Sequence, residues 1–194
     1  MKHLFTLLLL CCSTLMACSQ DSLPYRHVPE APDKFSAGAV AARIIDGLGF
    51  RFYWATEGLR ESDLSYKPSK DARTSEETIA HIYEMSIMIA NSATGIANKR
   101  GQDKKLPFVE MRKQVLENLK KASDQLRIAS DHDMENKKII FERNNKVTEF
   151  PFWNQLNGPM ADCLWHTGQL VSFRRASGNA MRSDINFFSG TAPE

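Results

Sequence analysis

The chain has 194 residues, 42% of them apolar, which is enough for one continuous core without disulfide or metal staples. Its 25 Lys and Arg against 23 Asp and Glu give a formal net charge of +2, which excludes the strongly basic surface of a nucleic-acid-binding protein. Nor does any helix-length segment carry the basic amphipathic stripe of a membrane-remodelling protein.

Met1-Lys2-His3 gives a short basic start and Leu4 to Leu10 an almost unbroken apolar run. This is a signal-peptide pattern, too short to span a bilayer, which takes about 20 apolar residues. Leu15-Met16-Ala17-Cys18 follows and resembles a bacterial lipobox, with the small Ala17 at the cleavage position and the Cys18 thiol as the group that takes the lipid. Cys11 and Cys12 fit less well, because the bulky Leu10 precedes the first. An ordinary secretory signal cut near Ala17 is the alternative. Both readings place the mature protein in the cell envelope outside the cytoplasm, in the periplasm or on a membrane face. Residues 1–17 are therefore expected to be a lipoprotein signal peptide. Residues 18–35, polar and Pro-rich, are expected to be a disordered tether from a lipidated Cys18. Of the four cysteines only Cys163 lies beyond the leader, so the folded part has no internal disulfide and depends on its core.

The mature chain shows four stretches of apolar residues at helical spacing, which predicts an all-α, antiparallel four-helix bundle over residues 36–190. In the first, residues 36–59, Ala41, Ile44, Ile45, Leu48, Phe52, Ala55 and Leu59 form the apolar face, weakened by Gly47 and Gly49 by up to ~1 kcal/mol each. Thr74-Ser75-Glu76-Glu77 is a capping box opening a second helix that runs to about residue 98, with Ile82, Met85, Ile89, Ala93 and Ile96 as its core stripe. Pro107 opens a third helix, which carries Met111, Val115, Leu119, Ala122 and Leu126 and ends near Ser130. Residues 138–141 and 147–150 flank Asn144-Asn145 and predict a small β-hairpin. The last helix is expected from Trp153 to residue 176 or 177, with Gly178 as its stop, and Trp153 and Trp165 as packing residues. Residues 181–194 are read as an extended tail, either over the bundle or loose.

Two of the five histidines, His81 and His166, fall where a bundle core prefers apolar side chains. Asp162 precedes His166 by four residues, so both side chains leave one helix face a turn apart. With His81 from the second helix they make three ligands for a divalent ion, and leave coordination positions open. On spacing alone, a carboxylate–imidazolium pair is the plainer reading. Glu84, a turn after His81, and Gln169, a turn after His166, are placed to orient the imidazoles or a bound water. Arg174 and Arg175, near the end of the last helix, are candidates for anion binding.

The segments Thr78 to Met85 and Asp162 to Leu170, the second continued by Phe173 to Asn179, resemble those of the DinB/YfiT-like superfamily. The resemblance covers roughly residues 36–190, although its specific motifs occupy only two helices. It implies a four-helix bundle, a homodimer through exposed helix faces, and a metal held by one histidine of the second helix and an H-x3-H pair of the last. His81 and His166 match two of those ligands. Asp162 stands where the first histidine of the pair belongs, which makes the site harder and more anionic. Zinc is the default ion, with nickel, manganese and iron as alternatives. Cys163 is a softer substitute ligand or, as favoured here, a buried core thiol. The expected activity is hydrolysis of an unknown small molecule by a metal-activated water. Thiol S-transfer, which some members of that superfamily carry out, fits an exported chain less well. A non-catalytic scaffold lipoprotein with a degenerate site is the other reading.

Overall fold

The computed structural model describes residues 23–99 and 106–194. The predicted signal peptide and Cys18 lie outside the described residues. The fold is mostly helical with a small three-stranded sheet. Among the described residues no helix is long and apolar enough to cross a membrane.

Local signals set the boundaries. Ser36 accepts a hydrogen bond from the Ala39 amide and starts α1 (Ala37–Thr56). After the short α2 (Glu61–Leu64), the Thr74–Glu77 capping box opens α3 (Ser75–Thr94), which Gly95 ends at φ 72°. Next come β1 (Asn98–Lys99), α4 (Phe108–Arg127) with Pro107 as its cap, and the short α5 (Asp131–Asn136). The predicted hairpin is present as β2 (Lys138–Arg143) and β3 (Lys146–Pro151). Asn144 and Asn145 turn it with φ of 49° and 61°, the paired positive angles that asparagine tolerates. β1 adds to β2 in parallel. The final helix is not continuous as expected: α6 (Trp153–Gln155) passes into a π-helical turn, Leu156–Met160, before α7 (Ala161–Ala176).

Helices α1, α3, α4 and α7 surround one core, whose fully buried members include Phe50, Phe52, Ile82, Leu119, Met160 and Leu170. Their directions correct the antiparallel expectation. Ser123 meets Asp46 while Arg112 meets Thr56, so α4 opposes α1. Arg174 meets the last carbonyls of α1, so α7 runs with α1. Tyr66, just before α3, stacks on Phe173 at 5.9 Å while His81 faces Asp162, so α3 opposes α7. Asn118 bonds Ser86, and the ends of α3 and α4 line one cavity, so these two helices run together. Two parallel neighbours need a return link: residues 95–107 reach about 43 Å extended, against about 30 Å for a 20-residue helix. α1 and α3 stand at opposite corners of the arrangement, each packed against α4 and α7.

The disorder expected of the tether does not hold over its described residues, 23–35. From Leu23 onward the chain is docked: the buried Tyr25 ring lies over Gly49 and its hydroxyl donates to Asp46 at 3.2 Å. Ser123 and Arg127 also donate to the fully buried Asp46. The Val28 amide donates to the Gly190 carbonyl at 2.8 Å, and Phe187 meets Phe50 edge-on at 5.6 Å, so the C-terminal tail is folded over the helices. A glycine in α1 is what admits the ring, a contact that Pro-rich, polar composition hides. Ile44 and Ile96, predicted in the core, are 40% and 48% exposed, because apolar periodicity marks a stripe without fixing how wide a neighbour covers it. Trp153 and Trp165, predicted to pack, are 76% and 71% exposed.

Candidate metal centre

The capping box fixes where α3 begins, and so the phase that turns His81 toward α7 while Ile82 enters the core. On the other side, Gly158 adopts φ −101° and ψ −108°, outside helical values, and Pro159 has no amide hydrogen to donate. The π turn takes up one extra residue, which shifts the phase between α6 and α7 by about 100°. Asp162 thus enters the first turn of α7, where the helix dipole favours a carboxylate. His166 follows one turn later. Gly158-Pro159 was the legible signal for this break.

The structure brings His81, Asp162 and His166 together: one potential ligand atom from each lies within 4.8 Å of the others. His81 Nε2 is 3.4 Å from Asp162 Oδ2, and His166 Nε2 is 3.6 Å from Asp162 Oδ1. The two imidazole rings stand nearly perpendicular, with centroids 4.9 Å apart. All three residues are half-buried at the α3–α7 seam. The separations exceed those of ordinary N–H···O bonds, about 2.7–3.2 Å. They run to different oxygens of one carboxylate, each near the ~3.4 Å that separates ligand atoms around an ion with bonds of about 2.0–2.1 Å, and one ligand atom from each residue lies within 4.8 Å of the others. The donor set of two imidazoles and a carboxylate therefore fits a divalent ion, with zinc, iron and manganese all compatible by ligand type.

The outward ring nitrogens support the same reading. His166 Nδ1 donates to Gln169 Oε1 at 2.7 Å, which leaves the Nε2 lone pair toward the cluster. His81 Nδ1 lies 4.0 Å from Glu84 Oε2, longer than a hydrogen bond but on the corresponding side. Gln169 thus lies against the outer nitrogen of His166, while Glu84 is a nearby exposed carboxylate.

Cys163 turns away from this cluster. It is fully buried in the core, and burial, with the adjacent Asp162 charge, pushes its thiol well above the ordinary range. Arg174 is buried too: its Nη1 donates to the Trp54, Ala55 and Glu57 carbonyls and its Nε to the Asn179 carbonyl. It closes the end of α1 with its donors turned to backbone carbonyls, while Arg175 is exposed. Sequence reasoning missed a second polar centre. Asp63, fully buried, accepts from the Arg60 side chain and amide, Ser177 and Asn179, and the Arg60 guanidinium above all holds its carboxyl well below the usual range. It also missed Gln155, fully buried beside the π turn, where neither side-chain polar atom has a hydrogen-bond partner among the described residues. Set against known proteins, the chain matches no family model, no curated protein and no solved structure.

Proposed function

We propose that this chain is an exported lipoprotein of the DinB/YfiT-like kind, anchored through Cys18, that uses one divalent ion to hydrolyse a small substrate. The observation that carries the reading is the meeting of both Nε2 atoms with the two oxygens of Asp162 at coordination spacing, with the far side of the His166 ring held by Gln169. Zinc is the default ion, and nickel, manganese or iron are the alternatives. Bound here, such an ion supplies positive charge that lowers the pKa of water at its open positions.

The protein's own groups supply the rest. Gln169 keeps a proton on His166 Nδ1, so this ring offers Nε2 throughout. Asp162, the most exposed of the three, brings a charge that offsets part of the ion's own. Glu84 is the carboxylate beside His81 Nδ1, on the side of the ring away from the cluster, where it is placed to orient that imidazole. Half-burial leaves the mouth open to water and to a small solute.

Elemental analysis of protein purified without a histidine tag or chelator should give one metal per chain, and His81→Ala and His166→Ala should each bring it near zero. Free zinc at about 100 times its Kd should stabilise the parent by about 2.7 kcal/mol, a rise in Tm of roughly 5–10 °C. Unchanged stoichiometry in both variants would end the metal reading. Protein that comes metal-free, with stability indifferent to zinc, would instead be a scaffold.

A further inference from the structure

The inward positions of the last helix are Met160, Cys163, Thr167, Leu170 and Arg174, spaced alternately three and four residues apart. Carried backward at the same spacing, this stripe passes through Leu156 and Trp153, both apolar. Neither lies in the core: Trp153 is 76% exposed and Leu156 half-buried. The inward places before the π turn belong instead to Phe152 and Gln155. Gln155 is fully buried, and among the described residues neither polar atom of its amide has a partner. The residues of α6 thus suit a face about 100° round from the one they bury.

The extra residue of the π turn produces this offset. Without it, an unbroken α-helix would carry Trp153 and Leu156 inward and turn Gln155 to solvent. Room for the larger indole is present, since a cleft of about 570 Å³ lies between α6 and α1, bounded by Phe152, Trp153, Leu156, Val40, Ile44 and Met134. Two opposing costs bear on the choice. An amide buried without a partner weighs against the observed register by a factor of roughly 5–150 in population. In the unbroken helix the Pro159 ring would press on the Gln155 carbonyl, which would also lack a donor, a penalty of similar size. Neither register therefore excludes the other, and Gly158, already outside helical values, stands at the join.

We propose that residues 152–156 form a two-position strap. In one position Phe152 and Gln155 face the core, as observed; in the other the π turn closes, Trp153 and Leu156 face the core, and Gln155 meets water. β3 ends at Pro151 and α7 begins at Ala161, so the exchange turns the link between the hairpin and the helix that bears Asp162 and His166. It rests on neither the metal nor the lipid anchor.

Fluorine NMR of the full chain labelled with fluorotryptophan tests it. Trp153→Phe assigns the Trp153 signal, and the change of that signal between light and heavy water reads its exposure. A carboxylate is not tolerated in a core without a partner, so Gln155→Glu at pH 8 should remain folded and raise the ratio of shielded to exposed Trp153 by more than about tenfold over the parent. Gln155→Leu removes the cost of the observed position and should keep Trp153 exposed. A Gln155→Glu protein that unfolds, or that folds with Trp153 as exposed as in the parent, overturns the proposal. So does a Gln155→Leu protein in which Trp153 is shielded as fully as in Gln155→Glu.

Discussion

Replacing Gly49 by alanine separates a docked N-terminal segment from a loose one by the sign of the effect. In the interior of an exposed helix this change stabilises by about 1 kcal/mol. Here the added Cβ would stand 2.4–2.6 Å from three carbons of the Tyr25 ring, and the ring must leave. Loss of a buried aromatic side chain costs about 1.5–3 kcal/mol, and loss of its hydrogen bond to Asp46 about 1.5 more. Net of the helix gain, Gly49→Ala should destabilise by about 2–3.5 kcal/mol, a fall in Tm of roughly 5–12 °C by calorimetry. Gly47→Ala is the internal control. Its Cβ would meet only the flexible end of Arg51, at 3.3 Å, so it should stabilise by up to about 1 kcal/mol. In a Tyr25→Ala background the Gly49 change should reverse sign, because the clash is gone. A Gly49→Ala protein as stable as the parent would refute the docking.

Asp63 should dominate the acid limb of stability. Its carboxyl is held low by Arg60, so its contribution is complete above the unfolded value near 3.9 and is lost as pH falls below that toward the depressed folded value. Urea titrations at pH 7 and pH 3 should show Asp63→Asn about 2 kcal/mol less stable at pH 7 but much less acid-sensitive; equal acid sensitivity would refute this. Gln169→Leu should leave His166 Nδ1 without an acceptor and weaken metal binding about 10–100-fold by calorimetric titration, while Gln169→Glu retains it. Equal affinity in the leucine variant would show that the bond does not hold the ring.

What the residues disclosed follows from how local each signal is. The Thr74–Glu77 box and the Asn-Asn turn are set by contacts a few residues apart, and both stand where their spacing placed them. His81, Asp162 and His166 were legible as a group because one helix phase carries two of them and a capping box sets the phase of the third. Helix direction was not legible, since an amphipathic pattern reads the same either way, and α3 running with α4 depends on the link between them. Gly158-Pro159 was visible, but its outcome, a π turn instead of an end, depends on packing against α3. Arg174 near a helix end looked available because carbonyls of a distant helix cannot be read from its neighbours. Tyr25 stayed hidden for the same reason, as its receiving notch is an absent side chain more than twenty residues away.

α7 meets both of the helices that stand at opposite corners: Arg174 ties its end to α1, and the two imidazoles and the carboxylate gather where its start crosses α3. An ion held there would act as a rivet between segments far apart in the chain, fastening the last helix to the one that the capping box begins.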